Sequence, residues 1–321
     1  MKAPPITITA KILKTSLSIA EILGSISTLH LEKPDIGLRK QNKIKAIQGS
    51  LAVEGNTLSL AQVTDLIDDK WVLGPKQDIK EVKNAIAVYQ DLTDYSFSSI
   101  NAFKRAHKIL TQGLIDAPGS FRAGNVGIFA GKHISHVAPP AKQVARLMDN
   151  LFSFIKCKDE LTLLIKACVF HYELEFIHPF SDGNGRMGRL WQQIILMKYH
   201  PVFEFLSVEL LIKENQNTYY DILGTCDASG ESTLFVEFML ALILDELEHY
   251  KKVVTYAPKT KQDRLELAAA HFKKQWFSRQ KYMIFHKTVS SATASRDLRY
   301  AVDSGMLEMQ GAQRLSRYHF R

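Results

Sequence analysis

Apolar residues recur at intervals of three and four along most of the chain, which is the periodicity of amphipathic helices. The pattern holds in the segments 12–29, 78–93, 99–114, 141–154 and 161–176, continues at 186–197, and extends through the helical residues 201–247. One stripe, in 161–176, contains His171, which we interpret as a core or edge histidine rather than a ligand. The pattern predicts a mainly α protein.

A segment of different composition interrupts the helical pattern at residues 122–140. It is rich in glycine and β-branched residues, and Pro139 and Pro140 end it. This composition is typical of a short β-hairpin. An exposed strand edge can accept an extended peptide through main-chain hydrogen bonds, although an ordinary surface hairpin would have the same composition.

The C-terminal residues follow a separate pattern of short elements. They predict helices at 265–277, from 282 and at 289–302, and then strands at 306–308 and 317–320. Ser290 or Ser291 can cap the third helix, since a serine side chain accepts from the first free N–H groups. This order of elements resembles a winged helix-turn-helix, a fold that binds DNA or protein.

Charge separates this C-terminal pattern from the rest of the chain. Residues 263–321 contain eleven lysines and arginines against five acids, so they carry six of the eight net positive charges. Residues 251–262 have four lysines, no acid and Pro258, as in a linker or a frayed helix end. We therefore predict an N-terminal helical region, a central core, a linker and a winged helix. Their bounds are 1–95, 96–250, 251–262 and 263–321.

Basic residues in the C-terminal region suit phosphate groups. Arg296, Arg299 and Tyr300 would lie on the outer face of the third helix, with Arg314 and Arg317 in the wing. Two interpretations remain open, which are DNA binding and docking of a target protein or a second subunit.

Other features exclude several classes of protein. The longest apolar stretch, 234–244, is interrupted by Glu237 and is too short to span a membrane. The N-terminus lacks the apolar core of a secretory signal, and the three cysteines are widely spaced without a metal-binding pattern. We therefore expect a cytoplasmic protein with no membrane contact.

The most informative segment is 178–189, His-Pro-Phe-Ser-Asp-Gly-Asn-Gly-Arg-Met-Gly-Arg. Pro179 predicts an extended conformation for His178. The glycines precede the helix predicted at 186–197, whose free N–H groups can bind an anion. Arg186 and Arg189 share one face of that helix and suit phosphate, and Asp182 suits Mg²⁺. His178 is the group whose ordinary pKa lies near neutrality, as a general base requires.

Taken singly, these residues have simpler interpretations. Gly-Asn-Gly could be a turn, His178 a loop histidine and the arginines a solvated helix face. Because the acid, glycines and arginines all converge on one helix start, we prefer a site that binds a nucleotide triphosphate.

The segment resembles the motif of the Fic (filamentation induced by cAMP) family, His-x-Phe-x-(Asp/Glu)-Gly-Asn-Gly-Arg-x-x-Arg, at every fixed position. The resemblance implies a helical Fic core with a β-hairpin flap. It also implies a nucleotidyltransferase that moves AMP from ATP to a Ser, Thr or Tyr hydroxyl of a protein and releases pyrophosphate. Relatives that transfer a phosphoryl group have a lysine where Gly185 stands, so the glycine favours nucleotidyl transfer.

The resemblance also assigns roles to residues. His178 would deprotonate the target hydroxyl, and Asp182 would bind Mg²⁺. The nucleotide-binding residues would be Gly183, Asn184, Gly185, Arg186, Met187, Gly188 and Arg189, with the two arginines on the β- and γ-phosphates.

A second signature lies at Ser50-Leu-Ala-Val-Glu54-Gly55-Asn56, which fits the family's inhibitory pattern (Ser/Thr)-x-x-x-Glu-(Gly/Asn). By resemblance, Glu54 would pair with Arg189 and block the productive position of the γ-phosphate. In some relatives the same glutamate assists the removal of AMP, so a reverse activity is an additional expectation.

The flap and a tyrosine pair complete the predicted site. Ser135 and His136 align with family residues near the nucleotide, and Tyr219 and Tyr220 with family tyrosines near the adenine. Two half-buried helix aromatics would give the same tyrosine pattern. Asp227 stands where some relatives have an asparagine.

The expected ligands are ATP and Mg²⁺, and the expected partner is a protein with a hydroxyl side chain, which could be the chain itself. A homodimer is also an expectation. Two alternatives remain open. One is a DNA-binding regulator that uses the Fic domain as a nucleotide sensor, and the other is a Fic enzyme with another nucleotide donor.

Overall fold

The computed structural model describes residues 4–28, 34, 36–130, 133–256, 260–273, 275–286, 289–311 and 316–321. For 128–130, 133–137 and 256 it describes the backbone alone. The chain divides into two compact units, Met1–Glu32 with Asn42–Lys251, and Lys33–Gln41 with Lys252–Arg321.

Helices make up most of the chain up to residue 256. They are α1 Ala10–Thr28, α2 Ile36–Val53, α3 Leu60–Ile67, α4 Lys76–Gln90, α5 Ile100–Leu110, α6 Ala141–Lys156, α7 Leu163–Ile177, α8 Asn184–Tyr199, α9 Val208–Glu214, α10 Gln216–Ser229 and α11 Thr233–Tyr256. The predicted mainly α fold is confirmed.

Two of these helices, α7 and α8, form the centre of the first unit. Both are buried along nearly their whole length, and many of their polar side chains are buried together with the apolar ones. Edge-to-face aromatic contacts join Phe103 of α5 with Phe152 of α6, Phe170 of α7 and Trp191 of α8. This packing holds the end of α7 and the start of α8 in a fixed relation.

The predicted hairpin is present as β1 Gly127–Ala130 and β2 His133–Val137. The strands are antiparallel, and their register shifts between Ile128 and Phe129. Ser135 and His136 lie in β2, but their side chains lie outside the described part of the chain.

The second unit contains α12 Lys261–Phe272, β3 Phe277–Ser278, α13 Arg279–His286, α14 Ser291–Asp303, β4 Leu307–Gln310 and β5 Arg317–Phe320. The strands form an antiparallel sheet in the order β3-β5-β4. Ser290 caps α14 by accepting from the Thr293 N–H. The core of the unit includes Phe272, Phe277, Leu298 and Phe320.

One local prediction in this region was wrong. The helix predicted at 265–277 ends at Phe272, because Phe277 pairs with Tyr318 of β5 and stacks on Phe272 at 4.2 Å between ring centroids. Residues 251–256, which we interpreted as part of a linker or a frayed helix end, continue α11. Pro258 and Arg314 lie outside the described residues.

Within the described ranges, every helix is too short or too polar to cross a lipid bilayer.

Candidate active site

The site begins where α7 ends, at His178. This residue has a left-handed conformation, with φ 49° and ψ 61°, so the extended conformation predicted from Pro179 was wrong. Its N–H donates to the Leu174 carbonyl and completes the last turn of the helix. A non-glycine residue rarely adopts positive φ unless its surroundings hold it there.

Arg122 provides that support from the segment before the hairpin. Its Nε donates to the His178 carbonyl oxygen at 2.7 Å and its Nη2 to the Ile177 carbonyl oxygen at 3.3 Å. The same guanidinium donates to the carbonyls of Gly124 and Pro139 at the two ends of the hairpin. Arg122 therefore ties the base of the hairpin to the last residues of α7. We did not single out Arg122 from the sequence, because a lone arginine before a hairpin carries no local signal.

The loop between His178 and α8 is closed by Asn184. Its side-chain amide accepts from the Phe180 N–H at 2.9 Å and donates to the Phe180 carbonyl at 3.0 Å. The side chain of Asn184, one of the predicted nucleotide-binding residues, thus stabilises the loop. Gly183, the N-cap of α8, has φ 82°, a conformation that favours glycine. A Cβ at this position would also lie 3.0 Å from the Thr111 side chain.

His107 of α5 packs against the same loop. Its ring stacks on Phe180 at 3.5 Å, its Nδ1 accepts from the Gly119 N–H, and its Nε2 lies 2.9 Å from the Asp182 carbonyl. Because Nδ1 accepts, the proton is on Nε2. Burial lowers the pKa of His107 to about 4, so the ring is neutral near pH 7. This residue was missed because its contacts join segments 75 residues apart in the chain.

Arg189 and Glu54 form the central ion pair of the site. Nη2 of Arg189 donates to Glu54 Oε1 at 2.6 Å, and Nε and Nη2 donate to the Ser50 side chain and carbonyl. The arginine side chain is 1% exposed and the glutamate 32%. Burial lowers the pKa of Arg189, but the Glu54 carboxylate, with smaller contributions from Tyr219 and Glu175, outweighs it and raises the pKa overall. The inhibitory pattern and the motif are therefore in direct contact.

Glu54 also lies against the first turn of α8. A Cβ at Gly185 would collide with Glu54 Oε1 and would lie 3.1 Å from Arg189 Nη1. The carboxylate thus lies beside the first turn of α8 and against the Arg189 guanidinium, and a helix start and a guanidinium are both groups that favour an anion.

Arg186, the other arginine of the motif, has two acidic neighbours. Its Nη2 donates to Asp182 Oδ2 at 3.0 Å, and its Nη1 lies 3.5 Å from Glu81 Oε1 of α4. The Asp182 side chain is 58% exposed, whereas that of Arg186 is 5% exposed. Asp182 Oδ1 accepts from the Gly183 N–H, so one carboxylate bridges the loop and the helix.

The other predicted nucleotide-binding residues differ in accessibility. Met187 is fully buried, and a Cβ at Gly188 would meet His171 and Glu175. Tyr219 is also buried, and its hydroxyl donates to Glu175 and contacts His171 Nε2, in agreement with His171 as a core residue. Because Tyr219 is buried, little of its ring is available for the predicted contact with adenine.

Tyr220 and Asp227 lie elsewhere on α10. Tyr220 is 47% exposed. Its partial burial raises the pKa of its hydroxyl, and the nearby Glu54 carboxylate raises this pKa further. Asp227 accepts from the Tyr172 hydroxyl at 3.1 Å. Burial, together with the nearby Asp227 carboxylate, raises the pKa of Glu173 to about 7.

Known proteins resemble this chain in sequence and in fold. A sequence model described as the Fic/DOC family matches residues 97–196, from the start of the core to within α8. A crystal structure of a Fic family protein from Desulfovibrio desulfuricans G20 is 37% identical. The match covers 100% of this chain and 98% of that one with a TM-score of 0.79.

The chain belongs to the Fic family. The family assignment extends over both units, since the Desulfovibrio protein matches from end to end. A Fic domain containing signaling protein from Bacteroides thetaiotaomicron shares the fold, with a TM-score of 0.62 at 19% identity over 77% of this chain and 97% of that one.

Relatives with a named activity are less similar to this chain than the Desulfovibrio protein is. The "Protein adenylyltransferase Fic" of Aedes aegypti is 28% identical over 218 residues, which are 62% of this chain and 40% of the relative. The chain thus spans about two fifths of the length of that relative.

Proposed function

We propose that this Fic protein is a protein adenylyltransferase. It would transfer AMP from ATP to a Ser, Thr or Tyr hydroxyl of a protein and release pyrophosphate. The relatives named as adenylyltransferases support this activity at the level of the family.

The observation that carries the proposal is the position of the Glu54 carboxylate. It lies against Gly185 and pairs with Arg189, so the start of α8 already holds an anion. A phosphate group of ATP would take the same position once the carboxylate has left. Arg186 and Arg189 would then bind the β- and γ-phosphates, since guanidinium donors pair well with phosphate oxygens.

In the reaction, the target hydroxyl oxygen forms a bond to the α-phosphorus of ATP. The bond from that phosphorus to the oxygen bridging the β-phosphate breaks, and pyrophosphate leaves. His178 accepts the hydroxyl proton on its imidazole as the new bond forms. Arg122 would act as a positioning residue, because it holds the His178 backbone in its left-handed conformation.

Asp182 is the residue that would hold Mg²⁺. Its carboxylate is more than half exposed beside Arg186, which suits an ion that takes one or two carboxylates together with substrate phosphates. When bound, the ion would neutralise charge on the triphosphate. Within the described residues there is no cluster of three acids, histidines or cysteines, so one carboxylate would serve.

We propose further that Glu54 restrains the enzyme. While the Glu54 carboxylate pairs with Arg189, that arginine is not free to bind a γ-phosphate. The carboxylate also takes up the space beside Gly185 that the phosphate would need. Removal of AMP from a modified protein would use the same site. The target would align along the hairpin, where a strand edge can pair with an extended segment.

We propose a winged helix for the second unit, supported by its order of helices and by its sheet β3-β5-β4. Arg296, Arg299 and Tyr300 are exposed on α14. This basic surface favours a second candidate function, a DNA-binding regulator that uses the Fic domain to sense a nucleotide.

Incubation with Mg²⁺ and ATP labelled at the α-phosphate tests the proposal. The Glu54→Gly variant should label protein about tenfold or more faster than the native chain, because a charge-assisted hydrogen bond worth about 1.5–3 kcal/mol is removed. His178→Ala in the same background should abolish labelling.

Equal labelling by native and Glu54→Gly chains would refute restraint by Glu54. Labelling that persists without His178 would refute its role as the base. Sequence-selective DNA binding with no transfer by any variant would favour the regulator.

A further inference from the structure

Arg186 is a deeply buried cation whose donors are only partly used. Its side chain is 5% exposed. Its Nη2 bonds Asp182, whereas Nε and Nη1 have no hydrogen-bond acceptor within the described part of the chain. Glu81 Oε1, at 3.5 Å from Nη1, therefore acts on Arg186 as a nearby charge rather than as a hydrogen-bond partner.

Glu81 is connected to the inhibitory segment. Its Oε2 accepts from Asn56 Nδ2 at 2.9 Å, and the same amide donates to the Asp78 carbonyl. The next residue, Thr57, donates from its N–H and its hydroxyl to Asp78 Oδ2, at 2.8 and 2.6 Å. The residues that directly follow Glu54 and Gly55 are thus fastened to the first turns of α4.

We propose that Glu81 is a second restraint on the nucleotide site and that Asn56 couples the segment carrying Glu54 to α4. Glu54 pairs with Arg189, and Glu81 adds a second carboxylate, besides Asp182, next to Arg186. The inference rests on the proposed function, in that both arginines bind the phosphates of ATP.

Two consequences follow from this arrangement. The Glu81 carboxylate competes with phosphate for Arg186 in every state of Glu54, because α4 holds it in place. Asn56 acts differently, since it carries no charge and only fastens the segment that positions Glu54. The two residues can therefore be separated by substitution.

The test measures ATP binding by calorimetry in the His178→Ala chain with Mg²⁺ present, so that no transfer takes place. Glu81→Gln removes the charge and keeps an oxygen that accepts from Asn56. It should tighten ATP binding about three- to tenfold, both with Glu54 and with Glu54→Gly.

Glu237→Gln is the matched control. Glu237 is as buried as Glu81, at 13% against 14% exposure, and it pairs with Lys11 rather than with the motif. This variant should bind ATP with the affinity of the parent.

Asn56→Ala provides an independent measurement that does not depend on the folding of the Glu81 variant. It should tighten ATP binding about threefold while Glu54 is present, since the fastened segment is released. In the Glu54→Gly chain it should have no effect.

Weaker or unchanged binding by Glu81→Gln would overturn the proposal, because a residue that only orients Arg186 would weaken binding when its charge is lost. An equal effect of Asn56→Ala in both backgrounds would overturn the coupling. Absence of ATP binding in every variant would overturn both. Because binding is measured without transfer, a failure of the adenylyltransferase proposal alone would leave these affinities as expected.

Discussion

At the scale of the residue, Arg189 connects the stability of the protein with its proposed regulation. Its guanidinium is almost fully buried, and its charge is met by Glu54 and by the Ser50 oxygens. A buried charge that loses its partner is costly, so the arginine retains a strong preference for another anion when Glu54 leaves. A phosphate group fulfils that requirement.

Gly185 provides a prediction at this scale. In the native chain, Gly185→Ala should lower the free energy of unfolding by about 1–3 kcal/mol, because the new Cβ collides with Glu54 Oε1. In the Glu54→Gly background the cost should be at least about 1 kcal/mol smaller, since the colliding atom is gone. Urea denaturation of the four chains gives this coupling.

Additive effects of the two substitutions would show that the Glu54 carboxylate does not lie against the first turn of α8. Arg189 Nη1, 3.1 Å from the same Cβ, is present in all four chains and so cancels in the comparison.

At the scale of the element, the approach of α2 to α9 decides where Glu54 lies. Gly49 has no room for a side chain, since a Cβ would stand 2.8 Å from the Leu210 nitrogen and 3.0 Å from the Glu209 carbonyl carbon. These are backbone atoms, which cannot move aside as a side chain can. The last turn of α2, with Ser50 and then Glu54, thus approaches α8 because Gly49 is small.

We therefore predict that Gly49→Ala separates α2 from α9. The free energy of unfolding should fall by about 1–3 kcal/mol. Labelling from α-labelled ATP should rise, since Glu54 is drawn away from Arg189. Thermal denaturation and the labelling assay measure the two effects.

Gly24→Ala on α1 is the matched control. Apart from its own helix backbone, no heavy atom of the described residues lies within 4 Å of its Cβ position, so alanine should be neutral or stabilising by about 0.5–1 kcal/mol through helix propensity. A Gly49→Ala chain as stable and as restrained as native would contradict the role given to this contact.

At the scale of the whole molecule, each compact unit contains a histidine that burial keeps neutral. Burial lowers the pKa of His107 in the first unit and of His286 in the second to about 4. The unfolded chain binds a proton near pH 6.5, whereas the folded chain does so only near pH 4. The stabilisation is therefore complete above pH 6.5 and is lost as the pH falls towards 4.

For the first unit, the free energy of unfolding should accordingly fall by about 2 kcal/mol between pH 7 and pH 5 through His107. In His107→Gln, whose amide can still donate to the Asp182 carbonyl, the fall for the first unit should be smaller by that amount. Urea denaturation at several pH values measures how the free energy of unfolding depends on pH in the native chain and in His107→Gln. An equal slope in the native chain and the variant would show that His107 is not kept neutral.

The sequence predicted the helices well because their signal is local. The apolar spacing of 141–154 and 161–176 corresponds to α6 and α7 within a few residues. Prediction failed where a distant partner decided the conformation. Phe277 forms a strand because β5 pairs with it, and Pro179 did not impose an extended conformation on His178 because α7 ends in a turn that Arg122 holds.

By itself, the sequence determined which residues could form the proposed site, since His178, Asp182, the glycines and both arginines lie within twelve residues around one helix start. Only the tertiary structure decided which groups surround them. Glu54 meets Arg189 across 135 residues, His107 meets Asp182 across 75, and Glu81 meets Arg186 from α4. Periodicity and motif spacing describe neighbours along the chain, whereas these contacts depend on how closely the helices pack, as the absence of a side chain at Gly49 illustrates.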